Sequence, residues 1–321
     1  MNEAAESALS TSGDVELSVV VPILNERESL HPLLDELSNV IENACSVSQY
    51  EVIFVDDGST DGSWDLISEL SQSRSQVSGI KLARNFGHQY ALKAGLDNAG
   101  GRAVISIDGD LQQPPHVIQK LYEKWKDGAC VVNAVRTSTE QATPFKTWTS
   151  KLFYRYINLT SPTKIEAGAA DFRLLDRKVV DQLIDLNEGE LFLRGLVSWL
   201  GYEPETVSYE AEPRRFGESK YSTRKMLRFA AHGILSSSAL PLRLVSWVGV
   251  CIAVLSFAYA AWVLLVRLLT DTQIKGWATT TFLILFLGGV IIAILGVIAE
   301  YLAKIYEATK NRPRYVIDKK T

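Results

Sequence analysis

Along the first two thirds of the chain, short apolar runs alternate with stretches in which apolar residues recur every three to four positions. The run ELSVVVPI (16–23) is continuous and β-branched, as expected of a parallel strand buried on both faces. After it, Leu30, Leu33, Leu34, Leu37, Val40 and Ile41 share one face at helical spacing. The same alternation predicts strands at 50–57, 79–84, 102–108 and 129–136. Between them it predicts a helix entered through GSTDGSWDLISEL, one over about 87–99, and a proline-initiated one over 114–126. This order implies an α/β fold, a Rossmann-like, mostly parallel sheet with helices on both faces. The pattern then changes. Residues 244–266 and 277–299 hold no charge over 23 positions each. At about 1.5 Å per residue each makes a helix of roughly 35 Å, enough to cross a hydrocarbon core of ~30 Å. Their length and terminal aromatics favour two transmembrane helices over buried core helices.

Composition refines the organisation more than the fold. Hydrophobic residues make up 47% and net charge is −4, which gives no global reason to expect nucleic acid as a partner. Charge is informative locally: 211–228 and 304–321 each carry six Lys/Arg against two Asp/Glu. Positive flanks stay in the cytoplasm, so the soluble part is expected on the cytoplasmic face of a plasma (inner) membrane, anchored by a multi-pass segment. The expected organisation is a flexible polar tail (1–15), a catalytic domain (16–225), a juxtamembrane segment (226–243), spans at 244–266 and 277–299, and a basic tail (300–321). The juxtamembrane segment reads equally as an interfacial amphipathic helix or a simple linker. The N-terminal residues lack the apolar core of a signal peptide. Cys45, Cys130 and Cys251 are isolated, without CxxC or Cys/His spacing, which argues against a disulfide framework or a zinc site. His88 and His116 read as surface or supporting residues.

In open α/β sheets, ligands bind beyond the carboxyl ends of the strands. Three strands here end in chemistry: Asn25-Glu26, Asp56-Asp57 and Asp108-Gly109-Asp110. No GxGxxG follows the first strand and no GxxxxGK[ST] occurs anywhere, so phosphates would not meet a glycine-rich cradle. Phosphates beside carboxylates repel unless a divalent cation lies between them. Asp108 and Asp110 are hard oxygen ligands suited to Mg²⁺ or Mn²⁺, which take one or two carboxylates plus substrate phosphates.

The motifs VVVPILNE, VDDGSTDGS, IDGDLQQPP, GAADFRLLDR (168–177), FLRGLVSWLGY (192–202) and RRFGESKYSTRKM (214–226) resemble glycosyltransferase family 2. More narrowly they resemble its GT-A-fold polyprenyl-phosphate members, the dolichol-phosphate mannose synthases and bactoprenol glucosyltransferases. The likeness runs from residue 16 nearly to the end, and two C-terminal spans suit the bactoprenol branch best. The resemblance implies nucleotide contacts at Pro22, Leu24, Glu26, Asp57, Asn85 and Asp108. It implies a metal site of Asp108, Asp110 and Gln112, and acceptor-phosphate contacts at Arg136, Lys151, Arg155, Arg214, Ser219 and Lys220. Catalytic roles fall to Asp110, Asp171, Arg136 and Arg214, with Asp171 and Arg173 lining the sugar and acceptor side. Ala170 stands where members often have Gly.

The implied reaction is inverting transfer of a hexose, favoured as glucose from UDP-glucose, to undecaprenyl phosphate. GDP-mannose-dependent synthesis of a polyprenyl-phosphate mannose is the alternative. A processive polysaccharide synthase is disfavoured because QxxRW is absent, and an inactive membrane scaffold because three acidic strand ends are intact. The partners implied are a nucleotide sugar, a polyprenyl phosphate and the bilayer. Homo-oligomerisation is left open.

Overall fold

In the computed structural model, residues 15–137, 169–186, 192–210, 276–310 and 312–321 are described, together with scattered helical positions from Trp247 to Leu269. The first apolar runs form β1 (Leu17–Ile23), β2 (Tyr50–Asp56), β3 (Val77–Leu82) and β4 (Ala103–Ser106). Between them lie α1 (Arg27–Asn39), α2 (Ser63–Ser73) and α3 (His88–Asn98). Then come α4 (Val117–Lys126), β5 (Val131–Arg136), β6 (Ala169–Asp176), α5 (Arg177–Asp185), α6 (Leu193–Trp199) and β7 (Glu205–Tyr209). The described C-terminal elements are α7 (Trp277–Thr309) and β8 (Ile317–Lys320). Every residue of β1 is buried, as its apolar run requires, because helices cover both faces. One face packs Leu30, Leu33, Ile67 and Leu121 from α1, α2 and α4, and the other packs Ala91, Val179 and Leu196 from α3, α5 and α6.

The sheet has eight strands in the order β7-β5-β6-β4-β1-β2-β3-β8. It is mostly parallel, as expected, with β1 to β5 and β7 running one way, and mixed because β6 and β8 run against them. β1 runs parallel to β2 and β4, and β2 to β3, but β6 is antiparallel to both β4 and β5, and β8 is antiparallel to β3. Periodicity reports a strand but carries no sign of its direction, which only pairing decides. Smaller differences follow from local chemistry. The helix expected at 114–126 begins at Val117, because Pro114 and Pro115 form a preceding turn whose carbonyls accept the N–H groups of Val117 and Ile118 (3.1 and 2.9 Å). The first helix continues as one π-helical turn, Val40–Ala44, which keeps Ile41 in the core.

The chain divides into two compact units, Met1–Met226 with Pro313–Thr321, and Leu227–Arg312. The last residues are therefore part of the sheet unit, where sequence suggested only a basic tail. Thr321 N–H donates to Gly79 O (3.0 Å), Gly79 N–H to Thr321 Oγ1 (2.8 Å) and Ala83 N–H to Val316 O (2.8 Å). Tyr315 Oη donates to Asp97 Oδ2 (2.8 Å) at the end of α3. In the second unit, α7 runs ten residues past the expected 277–299. Its stretch Phe286–Glu307 is, among the described residues, the one helix long and apolar enough to cross a membrane. The described positions from Trp247 to Leu269 are helical, with Trp247 and Leu255 exposed. The expected juxtamembrane segment 226–243, the tail 1–14 and most of the expected span 244–266 lie outside the described residues.

Candidate active site

Strand direction gathers the chemistry. β1 to β4 share one carboxyl edge. Because β6 is antiparallel to β4 with Arg173 opposite Ser106, the start of β6 brings Asp171 to that edge, just beyond the end of β4. The Ser106 hydroxyl donates to the Asp171 carbonyl. β5 ends there too, with exposed Arg136 opposite Tyr209 of β7.

At the β1/β2 end the groups are held by backbone. Asp57 accepts the N–H groups of Phe86 (2.7 Å) and Gly87 (2.9 Å), one on each carboxylate oxygen. Gly58, at φ +78°, lets the two loops touch: a Cβ there would stand 2.7 Å from Asn85 N. Asp57 therefore ties the β2 loop to the loop bearing exposed Asn85. Burial, aided by Asp56, pushes its carboxyl pKa up despite those two bonds. Asn25, at φ +55°, accepts from Thr60 N (2.8 Å), and Ser63 Oγ accepts from Glu26 N (3.3 Å). Pro22 is buried in β1, and Leu24 and Glu26 are partly exposed at its end. Asp56 Oδ1 accepts from Ser59 N (2.9 Å), whereas its Oδ2 is buried with no hydrogen-bond partner. Such an atom is costly unless something else satisfies it.

The β4 end is arranged differently. Gly109 packs where a Cβ would fall 2.5 Å from Ile23 Cδ1, so this loop lies against the end of β1. Leu111 is buried at φ +58°, a strained conformation for leucine, and turns the chain back on itself. That turn brings Gln113 to Asp108: Gln113 Nε2 donates to Asp108 Oδ2 (2.5 Å), and Asp108 N–H donates to Gln113 Oε1 (2.9 Å). Gln112, the glutamine singled out in the sequence, donates its backbone N–H to Asp110 Oδ1 (3.1 Å). Burial pushes the Asp108 carboxyl pKa up; His88 lowers it, while Asp171 and Asp110 raise it further.

Beside this pair lies a charged cluster that sequence did not assemble. Asp171, 5% exposed, accepts from Arg194 Nε (2.9 Å) and Nη2 (3.0 Å) and from Gln89 Nε2 (2.8 Å). Arg173 Nη2 stands 3.5 Å from it. His88 Nε2 sits between two carboxylates, 3.5 Å from Asp171 and 3.6 Å from Asp108. Gln89 also accepts the Leu193 N–H (3.1 Å), joining α3 to α6. Burial alone would raise the Asp171 pKa. Hydrogen bonds from His88 and Arg194, and the charges of Arg194 and Arg173, outweigh it and hold the group far below the ordinary carboxylate range. Burial lowers Arg173 to about 10. His88 is shifted up: burial opposes its charge, but Asp171 and Asp108 win. His88, Gln89 and Arg194 lie in GHQ and FLRG, over 100 residues apart, and nothing in that spacing shows that they meet.

A family model described as glycosyl transferase family 2 matches residues 18–184, and a second, the GtrB C-terminal hairpin, matches 240–305. The chain belongs to glycosyl transferase family 2. It is 41% identical over 308 residues to the uncharacterized glycosyltransferase YkcC of Bacillus subtilis, covering 96% of this chain and 95% of that one. It is 39% identical to the SfII prophage-derived bactoprenol glucosyl transferase of Shigella flexneri, over 95% and 98% of the two chains. With the prophage bactoprenol glucosyl transferase homolog of Escherichia coli K12 it shares 37%, over 94% and 98%. The crystal structure of S. aureus TarS 1–349 with UDP-GlcNAc aligns with a TM-score of 0.47 at 17% identity, over 70% of this chain and 66% of that one.

The sheet unit is thus a GT-A-like mixed-sheet α/β domain of a glycosyltransferase. Its acidic pair, two hard carboxylate ligands two residues apart at the end of β4, suits a hard divalent cation. Among the described residues no three His, Cys, Asp or Glu side chains gather as a closed metal site. A cation on Asp108 and Asp110 would take its remaining ligands from phosphate and water, as Mg²⁺ and Mn²⁺ do. Of the expected phosphate contacts, Arg136 lies at the edge, while Lys151, Arg155, Arg214, Ser219 and Lys220 lie outside the described residues.

Proposed function

We propose that this glycosyltransferase moves glucose from a nucleotide diphosphate sugar, UDP-glucose, to a polyprenyl phosphate, with inversion at the anomeric carbon. The observation that carries the reading is the likeness over nearly the whole chain to the bactoprenol glucosyl transferases named above, and the engagement of Asp171 by Arg194 and Gln89 fits it. A sugar-hydroxyl acceptor must lose a proton to a base, and a carboxylate held far below its ordinary pKa is a poor base. A phosphate monoester has a second pKa of about 6 and arrives largely ionised, so it needs none.

In this reading Pro22, Leu24, Glu26, Asp57 and Asn85 frame the base and ribose, with Asp57 acting through the loop it ties down. Asp108 and Asp110 hold Mg²⁺ or Mn²⁺, with Gln113 fixing the Asp108 rotamer. When bound, the cation supplies Lewis-acid stabilisation of the departing diphosphate. An acceptor phosphate oxygen forms the new bond to the anomeric carbon. The bond from that carbon to the donor phosphate oxygen breaks, and its electron pair leaves with the nucleoside diphosphate. Attack from the opposite face turns an α-linked donor into a β-linked product. Arg136 and, in sequence, Lys151, Arg155, Arg214, Ser219 and Lys220 are assigned to the phosphates, since guanidinium forks suit them.

The reading includes a membrane hairpin with the catalytic unit on the cytoplasmic face. β7 and β8 belong to one sheet, so the chain leaves that sheet and returns to it on the same side of any bilayer. If α7 crosses once, a second crossing must lie between Tyr209 and Trp277, and 244–266 is the uncharged run that can supply it. The test is incubation of the full chain with vesicles carrying undecaprenyl phosphate, Mn²⁺ or Mg²⁺, and labelled UDP-glucose, other UDP-hexoses or GDP-mannose. Label is expected in the organic phase from UDP-glucose. Label from GDP-mannose alone would establish the mannose alternative, and none from any donor would overturn the reading.

A further inference from the structure

The acidic pair creates a difficulty for the reaction just proposed. Asp108 and Asp110 favour a cation with the donor diphosphate, but they repel the second anion, the acceptor phosphate, which must arrive within bonding distance of the same sugar. A cationic subsite beside them is required, and the cluster at the start of β6 has the right balance. Asp171 and Arg173 are both almost fully buried, 5% exposed each, and cancel one another. Arg194 adds a further positive charge, and 33% of its side chain is open to solvent. Its Nε and Nη2 form a fork on Asp171, which fixes the guanidinium plane.

We propose that Arg194, at the start of α6, is a binding residue for the acceptor phosphate monoester, with Asp171 as the positioning residue that aims it. The subsite rests on the polyprenyl-phosphate reading and adds to it a residue that the basic segments of the sequence did not suggest. Asp171 thereby has a role other than proton transfer. It carries one arginine that is buried and neutralised and one that is partly open to solvent. The site becomes bipolar, with carboxylates for the metal–diphosphate on β4 and a guanidinium for the incoming phosphate on α6.

The experiment compares wild type, Arg194→Lys and Arg194→Gln in vesicles with undecaprenyl phosphate and UDP-glucose. Three quantities are read: KM for each substrate, slow UDP-glucose hydrolysis without acceptor, and calorimetric binding of UDP with Mn²⁺. Arg194→Gln is expected to raise the KM for undecaprenyl phosphate about tenfold or more, the scale of one charge-assisted hydrogen bond. Arg194→Lys, which keeps a charge on Asp171, should fall between the two. Donor KM, acceptor-free hydrolysis and UDP–Mn²⁺ binding should stay within about twofold of wild type, a pattern that a purely structural role would not give. An unchanged acceptor KM in a variant that still binds UDP overturns the inference, as does a rise in donor KM instead. If Arg194→Gln fails to fold, Arg194→Lys alone decides by the same split. Wild type failing to transfer to undecaprenyl phosphate would instead sink the reading beneath it.

Discussion

The ends of β2 and β4 look alike in sequence, each a strand running into two aspartates, yet they are built for opposite purposes. At β2 the carboxylate of Asp57 is occupied on both oxygens by backbone N–H groups, so its work is to hold two loops together. At β4 the carboxylates of Asp108 and Asp110 are partly exposed with Asp171 nearby, and Asp108 is oriented by Gln113 and approached by His88 rather than held by backbone donors. A carboxylate saturated by backbone donors shapes a site, and one crowded by other carboxylates calls for a cation. The count of acidic residues is the same, and what differs is where the nearest donors are.

Substitutions sharpen that contrast. The largest stability effect is expected at Asp171, the anchor beside the β4 end. Asp171→Asn leaves Arg173 buried without its counter-charge and should cost about 3–5 kcal/mol. The sign with pH follows from its depressed pKa: the stabilisation is complete above the unfolded value of about 3.9 and is lost as pH falls towards the folded one. Denaturant melts should therefore show a gap between wild type and variant that is at least as large at pH 5 as at pH 7, because Asp171 also favours protonated His88, and that closes only in stronger acid. A gap that shrinks between pH 7 and 5 would contradict the ion-pair assignment.

Asp110→Ala should leave folding nearly intact but reduce transfer at least about a hundredfold, roughly 2.7 kcal/mol of transition-state stabilisation, and abolish Mn²⁺-dependent UDP binding. Retention of full transfer would remove the β4 end from the metal site. Asp57→Asn should do the converse, lowering stability by about 1.5 kcal/mol as charge-assisted bonds to Phe86 and Gly87 weaken, and raising donor KM more than it lowers kcat. A collapse in kcat with unchanged melting would make Asp57 chemical rather than architectural. The smallest contrast is between adjacent glutamines. Gln113→Ala should cost about 1 kcal/mol and several-fold in rate, while Gln112→Ala, whose mapped bond is from the backbone, should change either by little. Equal effects would mean that the amide on Asp108 does not set its rotamer.

Much of the site was legible because its strongest signals are local. Strand ends before DDG and DGD, the helix faces and the uncharged C-terminal runs each depend on residues within a dozen positions of one another. The contact of Gln113 with Asp108 was not legible because it depends on the left-handed conformation of Leu111, which periodicity does not anticipate. Arg194 escaped notice, and His88 read only as a surface or supporting residue, because each becomes chemical by meeting Asp171, which neighbours neither in the chain.

By itself, then, the sequence determined the alternation of strands and helices, the acidic strand ends, the apolar C-terminal stretch and the family. These follow from burial periodicity, turn chemistry and hydropathy, which are properties of neighbouring residues. Only the tertiary structure decided that β6 runs against β4, which delivers Asp171 to the edge where Asp108 waits. Only it decided that residues 313–321 come back to pair with β3, so that the expected tail becomes an edge strand. Both depend on long-range pairing, in which direction and partner are selected by what the whole sheet can bury and hydrogen-bond.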